Sequence, residues 1–392
     1  MVNTGARSGS VLHVEVHRDG GALDALASAW NDLYARAARR SIFLSHDWMC
    51  AAWRWRSRSA APYLVTCTHD SELIGVMPLV VPRRGDSGSA RVLEWLAVPD
   101  TQWCDVLVAA GREREVARAL ADALARRASE WDALRLDRLA SDAFSAGALR
   151  AAFTAAGHST GGASGGMNPS IALSANWDAY YSARTRSVKK AVNLAANRLA
   201  RAGRVDVEWT EPGRCDWRDA ERALESAIAL SARSWKIDTG NSLDREGPNA
   251  FIRELAARAH ARDALSIWTL TLDGEALAME IQLVDDGAVH ALRSDFARGA
   301  EAISPGSHLN RVMLERLFAR GYASYFMGPG ENAYKYRWAD GGAPVQTVSV
   351  YARTLRGRAL AAWQLALKPA ARRLRDRIRA RSHARDEKAD AE

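Results

Sequence analysis

The chain has 392 residues, 48% of them hydrophobic, which is enough for large cores and excludes a disordered protein. Its length predicts about two to three domains. The four cysteines are far apart and include no Cys-x-x-Cys pair, which argues against disulfides and zinc and predicts a cytoplasmic protein. The polar first ten residues lack the apolar core of a signal peptide, and no apolar run approaches the roughly 18 residues of a membrane span.

The net charge of +8 is concentrated at the C-terminal end of the chain. Residues 353–392 contain 12 Lys/Arg and 5 Asp/Glu, a net of +7, which leaves +1 for residues 1–352. Nucleic-acid binding needs many phosphate contacts, which a nearly neutral body does not offer, so we expect no nucleic-acid partner. The basic pI is a property of the tail and indicates little about what the folded body binds.

The first half of the sequence alternates between strand and helix patterns. In chain order it predicts a strand at Val11–His17, a helix at Ala22–Arg39, a helix capped by Ser45 or Asp47, strands within residues 62–68, 72–81, 91–98 and 103–109, a helix at Arg112–Arg127, a strand at Ala133–Leu136 and a helix near Phe144–Ala156. The glycine-rich segment His158–Ser170 predicts a loop. We place a domain boundary at or just after this segment.

The second half repeats the order of the first. Thr66–Val81 aligns without gaps to Thr269–Val284, at an offset of 203 residues. Each segment predicts a β-hairpin with a tight turn, at Asp70-Ser71 in one copy and Asp273-Gly274 in the other. More strand, a helix and a short strand follow in both copies. We therefore predict two copies of one α/β unit.

A basic helix, Asn176–Arg201, joins the two predicted copies. It has an apolar stripe that includes Val188 and Leu199, and residues 184–204 contain seven Lys/Arg and no acid. The basic face is either a solvated surface or an anion-facing wall of the cleft between the two units. On the second interpretation, Arg186 and Lys190 bind substrate.

The helix of the second copy begins with a motif that suits an anion. Its first residues are Ser304, Pro305, Gly306 and Ser307. The serine can cap the helix, the proline fits the first helical position, and the glycine lets a ligand approach the backbone. Free N–H groups and the helix dipole can then form a phosphate site, although the motif taken alone is weak and favours an ordinary helix start.

The matching helix of the first copy differs at its start. Glu113 and Glu115 lie in its first turn, where carboxylates would repel a phosphate. We therefore predict that only the second copy binds a phosphorylated cofactor.

Several short motifs together carry a family resemblance. They are Phe43-Leu44-Ser45 with Trp48, Ser234-Trp235-Lys236, the hairpin end Ala276–Leu283, Ser304-Pro305-Gly306, and Gly328-Pro329-Gly330 followed by Tyr334-Lys335. Over roughly residues 10–352, the chain resembles the tandem GNAT acyltransferases of the CelD-like, polysaccharide-biosynthesis type, which are related to the FemAB transferases. One departure is that Phe326-Met327 stands where an acid is expected before the Gly-Pro-Gly turn, so no role for that acid is carried over.

The resemblance implies an α/β (α+β) fold with mixed, mostly antiparallel sheets flanked by helices. It implies two GNAT-like domains, a supporting, acceptor-side domain at residues 1–170 and an acyl-CoA-binding, catalytic domain at residues 171–352. A basic helical tail follows at residues 353–392.

The resemblance also implies a reaction. An acyl group would pass from acetyl-CoA or a longer acyl-CoA, without a metal, to an amine of a small or sugar-linked acceptor in cell-surface polysaccharide biosynthesis. Two alternatives stay open. One is a FemAB-like transferase that uses aminoacyl-tRNA, and the other is a non-catalytic scaffold in a polysaccharide-synthesis complex.

Such a transfer needs a proton acceptor, an oxyanion site and a group that serves the leaving thiolate. The candidates are Glu280 or Asp295 as the proton acceptor, strand N–H groups near Glu280–Leu283 for the oxyanion, and Lys335, Tyr334 or Tyr336 for the thiolate. Gln282 joins the SPGS residues as a cofactor contact, and the substrate contacts are Trp235, Lys236, Arg186, Lys190, Asp105 and Tyr336. Asp295 could instead pair with Arg293 or Arg298, and Lys335 could be a surface lysine.

The tail, Arg356–Arg381, predicts a helix or helix pair interrupted near Pro369. Its apolar positions are Leu360, Trp363, Leu367, Leu374 and Ile378. Three interpretations stay open: a solvated terminal helix, a helix on a membrane surface, or a contact with an acidic partner. The membrane interpretation would make the protein peripheral to the inner membrane.

Overall fold

The computed structural model of the chain places helices on a single large mixed sheet. The structure describes residues 12–83, 90–174, 176–330, 332–368 and 375, and the side chains of Trp235 and Thr239 lie outside the described part. The strands are β1 (Leu12–His17), β2 (Ala60–His69), β3 (Glu72–Pro82), β4 (Val92–Trp95), β5 (Leu107–Val108), β6 (Ala133–Ala140), β7 (Ser159–Ala172), β8 (Val205–Thr210), β9 (Leu265–Leu272), β10 (Glu275–Asp285), β11 (Ala288–Phe296), β12 (Ser324–Phe326) and β13 (Gly341–Tyr351).

The helices occupy most of the remaining described residues. They are α1 (Ala22–Ala25), α2 (Ala27–Ala35), α3 (His46–Arg56), α4 (Glu113–Arg126), α5 (Phe144–Ala155), α6 (Trp177–Ser182), α7 (Arg186–Ala202), α8 (Trp217–Ala232), α9 (Glu246–His260), α10 (Pro305–Arg320), α11 (Ala333–Trp338) and α12 (Leu355–Ala361). Short 3-10 segments lie at Ile42–Leu44, Trp235–Thr239 and Glu301–Ile303, and a π-helical segment, Ala362–Leu367, continues α12.

The strand order is β1-β2-β3-β4-β6-β13-β7-β12-β11-β10-β9-β8, with β5 paired to β3. The two halves of this order mirror each other. Each has four strands joined by antiparallel pairs, and the fourth then runs parallel to a fifth, β4 to β6 and β11 to β12. The prediction of mixed, mostly antiparallel pairing is confirmed.

Both predicted hairpins form at the aligned positions. The turns between β2 and β3 and between β9 and β10 have positive φ at both central residues, 48° and 69° at Asp70-Ser71 and 51° and 86° at Asp273-Gly274. Two-residue hairpins favour this geometry because it follows the natural twist of the strands, and Asp and Gly tolerate it.

The loop prediction for His158–Ser170 is wrong, because most of this segment forms the long strand β7. Its glycines serve close packing: a Cβ at Gly161 would lie 2.5 Å from Leu365 Cδ2, and one at Gly165 would lie 3.2 Å from the Val345 carbonyl oxygen. β7, the last strand of the first half, inserts between β13 and β12 of the second half. The domain boundary at residue 170 stays a prediction.

The single helix predicted at Asn176–Arg201 is two helices, α6 and α7. The break precedes α7 because Thr185 caps that helix, its hydroxyl accepting a hydrogen bond from the Val188 N–H at 3.4 Å. The predicted apolar stripe is confirmed, since Val188 and Leu199 are buried. In the tail, a helix is confirmed as far as residue 368, and the predicted positions Leu374 and Ile378 lie outside the described residues.

Candidate active site

The main cavity opens where two parallel strands separate. β11 and β12 pair only over Ala288–His290 and Ser324–Phe326, after which the chain turns away at Gly328 with φ of 78°. The wedge between them contains a cavity of about 670 Å³, lined by β11 residues 291–296, the first turn of α10 and residues 327–329. Because the two strands separate, the free edge of β11, the N-terminus of α10 and the turn at Gly328 all border the same cavity.

Most of the candidate residues line this cavity. They are Glu280, Asp295, Tyr334, Lys335, Ser304, Pro305, Gly306, Ser307 and Lys236. The structure therefore brings together all four predicted catalytic residues and the start of α10.

Lys335 is buried, so the surface-lysine alternative is wrong. Its side chain extends from α11, and its Nζ donates hydrogen bonds to the carbonyl oxygens of Gly328 at 2.9 Å and Pro329 at 2.8 Å. Burial lowers the pKa of the amine to about 8. The nearby Glu280 carboxylate opposes this shift, and the positive charge of Lys236 adds to it. A lysine with this pKa is partly neutral near physiological pH and can accept a proton.

Glu280 is a buried carboxylate held in a fixed position on β10. Ser294 donates a hydrogen bond at 2.5 Å, Tyr325 at 2.6 Å and Gln282 at 2.7 Å. Burial raises the pKa of Glu280, and these hydrogen bonds oppose the rise. Gln282, the predicted cofactor contact, is fully buried and does not line the cavity, and its contact with a cofactor stays a prediction.

Asp295 pairs with Lys236. The Nζ–Oδ1 distance is 2.6 Å, and the Ser231 hydroxyl donates a hydrogen bond to the other carboxylate oxygen at 2.7 Å. The alternative pairing with Arg293 or Arg298 is wrong, since those arginines pair with other carboxylates. Trp235 begins the adjacent 3-10 segment, and its side chain lies outside the described part.

A buried ion pair between the two halves of the chain also lines the cavity. Arg293 Nη2 donates to Asp100 Oδ2 at 2.7 Å and to the Asn241 side-chain oxygen at 3.1 Å. Near it, Gln102 donates to the Ala291 carbonyl oxygen at 2.9 Å, tying the same first-half loop to β11. Asp100 carries no sequence signal for this role, because it lies in a short loop without a motif and meets its partner 193 residues away.

The start of α10 differs from the prediction in one respect. Ser304 does not cap the helix with its side chain; its φ of 52° is left-handed, and its hydroxyl donates to the Glu301 carbonyl oxygen at 3.2 Å. Pro305 occupies the start of the helix as predicted. A Cβ added at Gly306 would meet only Phe296 Cδ1, at 3.9 Å, so this backbone faces open space. Glu301 lines the same cavity.

The predicted oxyanion donors on β10 are wrong. Residues 280–283 pair with β9 on one side and with β11 on the other, so their N–H groups lie within sheet ladders. The available edge belongs to β11, whose residues 291–296 line the cavity. A shift in register pairs Ile281 with Arg293 and Gln282 with Ala291, which leaves Leu292 as an extra residue in a β-bulge.

Four of the predicted substrate contacts lie elsewhere. Arg186 and Lys190 are exposed on α7, Tyr336 is 47% exposed on α11, and none of the three lines the cavity. Asp105 lies in a smaller cavity of about 240 Å³ in the first half, beside Glu113 at the start of α4. Burial raises the pKa of Asp105 to about 6 there. Asp105 therefore lies outside the main cavity, and its predicted contact with the acceptor stays a prediction.

Comparison with known proteins agrees with this geometry. Residues 186–336 match the family model described as "Acetyltransferase (GNAT) domain". No curated protein matches the chain. Among solved structures, FemX has a TM-score of 0.54 at 13% identity, over 87% of this chain and 98% of its own.

Two further structures have a TM-score of 0.51 at 11% identity. One is the C-terminal domain (DUF2156) of a putative lysylphosphatidylglycerol synthetase from Agrobacterium fabrum, with 88% of this chain and 96% of that chain covered. The other is a protein of unknown function from Bacteroides thetaiotaomicron, with 86% and 100% covered.

The family match and the fold define the class. The protein is an acyltransferase with a mixed α/β fold. More particularly, its residues 186–336 form a GNAT-like acetyltransferase domain, which contains β11, α10 and the buried lysine.

Proposed function

We propose that the main cavity binds acyl-CoA and transfers its acyl group to an amine, with Lys335 as the proton acceptor. The observation that carries this proposal is the buried Lys335 ammonium, whose pKa is lowered to about 8 in a cavity that begins at a helix N-terminus. General-base groups work best when their pKa is near the working pH.

The chemistry follows from the lining. Neutral Lys335 takes a proton from the acceptor ammonium, and the freed amine nitrogen attacks the thioester carbonyl carbon. The C–N bond forms, the C–S bond breaks, the lysine ammonium returns its proton to the leaving thiolate, and the extra proton on the attacking nitrogen is released to solvent as the amide forms. The products are an amide and free CoA. Backbone N–H groups at the β11 bulge are the best placed donors for the oxyanion, because this edge borders the cavity.

The start of α10 supports binding of the CoA pyrophosphate. The helix has no acid in its first turn, and the backbone at Gly306 faces open space. The proposal includes acyl-CoAs with chains longer than acetyl, because the α10 site would bind the pyrophosphate that all acyl-CoAs share.

The acceptor is proposed to be a small or sugar-linked amine. Support comes from Glu280, which lines the cavity, forms no ion pair with any described residue and would favour a cationic acceptor before it loses its proton. The further proposal of a role in cell-surface polysaccharide biosynthesis rests on the motif resemblance to CelD-like proteins.

The experiment measures release of free CoA thiol from acetyl-CoA and longer acyl-CoAs with a panel of amino sugars, small amines and the matching hydroxyl compounds. We expect release with an amine and a loss of about 10²–10⁴-fold in kcat for Lys335→Met. Tyr336→Phe, on the same helix but outside the cavity, should keep wild-type rates. Amine-independent release, or equal rates in Lys335→Met, would contradict the proposal.

A further inference from the structure

The C-terminal helix has two distinct faces. Toward the sheet, Gly357 and Ala361 are buried, and Leu365 lies against Gly161 of β7. These inward residues recur every four positions across α12 and the π-helical segment. The inward face therefore fixes the orientation of the whole stretch.

The outward face carries large apolar side chains that are exposed to solvent. Leu355 is 87% exposed, Trp363 52% and Leu367 56%, again at intervals that are multiples of four. Of the eight large hydrophobic side chains exposed among the described residues, these three lie on the outward face, and a fourth, Leu365, is 42% exposed although it also contacts the sheet at Gly161. Single exposed apolar residues are common on soluble proteins, but such a cluster marks an interaction surface.

The charges beside this face are basic. Arg356 and Arg358 are exposed and form no ion pair with any residue in the described ranges. Residues 353–392 carry a net charge of +7. A second copy of the chain would bring like charges together, so the occupant has to be anionic and apolar at once. An anionic bilayer offers both properties, since Trp and Leu enter the interface while Arg binds lipid phosphates.

We propose that this outward face, formed by Leu355, Trp363 and Leu367 with Arg356 and Arg358, docks on the surface of an anionic phospholipid bilayer. The helix lies in the interface plane, with its inward face still packed on β7 and β13. No helix in the described part of the chain is long and apolar enough to cross a membrane. The inference is independent of the proposed reaction, because none of these residues lines the main cavity.

Vesicle co-sedimentation of the full chain tests the proposal. We expect binding to phosphatidylcholine vesicles that contain phosphatidylglycerol, weaker binding at high salt, and little binding to phosphatidylcholine alone. Arg356→Gln with Arg358→Gln should reduce partitioning by roughly fivefold for each arginine removed. Trp363→Ser with Leu367→Ser should reduce it by about tenfold or more.

The matched control is Leu194→Ser, which removes a similarly exposed leucine, 43% accessible, from α7. It should bind vesicles like the wild type. Equal binding to both vesicle types, or wild-type binding by both double variants, would overturn the proposal. So would a dimer in light scattering that Trp363→Ser with Leu367→Ser dissociates, or binding to an acidic polypeptide or RNA without vesicle binding.

Discussion

At the scale of single residues, the environment of Lys335 decides what the cavity can do. A lysine on a short helix after a glycine turn is visible in the sequence, but its burial is not, because burial depends on how distant elements pack around the cavity. The two carbonyl oxygens of Gly328 and Pro329 hold its amine, while the removal of water disfavours its charge. The sequence therefore identified the residue, and tertiary packing sets its chemistry.

The lowered pKa of Lys335 predicts a pH-dependent stability. The unfolded chain keeps an ordinary lysine pKa of 10.5, so between about pH 8 and 10.5 it binds more protons than the folded chain. The stability contributed by this group is present above 10.5 and is lost as the pH falls through 8. The unfolding free energy of the wild type minus that of Lys335→Met should therefore rise by about 3 kcal/mol over this range.

Denaturant unfolding of both proteins from pH 7 to 11 measures this difference. The subtraction removes the titration of all other groups that the two proteins share. A flat difference would show that Lys335 titrates normally and would leave it without the proposed role.

At the scale of elements, the loop that follows β4 closes the cavity by docking on β11. Asp100 and Arg293 are both buried, and Gln102 adds a hydrogen bond to the strand. Sequence periodicity predicted the strands before and after this loop. It contains no information on which distant strand the loop contacts. This contact, like the β11 bulge, follows from the arrangement of the two halves.

The buried pair predicts a large effect of a single substitution. Asp100→Ala leaves the guanidinium of Arg293 buried without its carboxylate, which should lower the free energy of unfolding by about 3–5 kcal/mol. Asp142→Ala is the matched control, since it breaks the exposed pair with Arg39 and should cost less than about 1 kcal/mol. Chemical denaturation compares them, and similar small losses in both variants would contradict the buried pairing.

At the scale of the whole molecule, the two halves exchange their last strands. β7 pairs with β12 and β13, and β13 pairs with β6. The internal repeat was visible in the sequence because the two hairpin segments align without gaps and have their turns at matching positions. The exchange was not, because a glycine-rich strand has the composition of a loop when its packing partners are unknown.

The exchange predicts that the halves depend on each other. Calorimetry of the full chain should show one unfolding transition, and residues 1–170 expressed alone should not fold, because their last strand loses both neighbours. Co-expression with residues 171–392 should restore folded protein. Two separate transitions, or a folded fragment of residues 1–170, would contradict this dependence.

The most direct test of the proposed cofactor site is calorimetric titration of acetyl-CoA and free CoA into three proteins. They are the wild type, Gly306→Glu at the start of α10, and Ala319→Glu, an equal charge change at an exposed position near the other end of that helix. We predict that the wild type and Ala319→Glu bind alike, and that Gly306→Glu weakens binding by about tenfold or more, since a carboxylate would face the pyrophosphate. No binding to the wild type, or unchanged affinity in Gly306→Glu, would contradict the cofactor site.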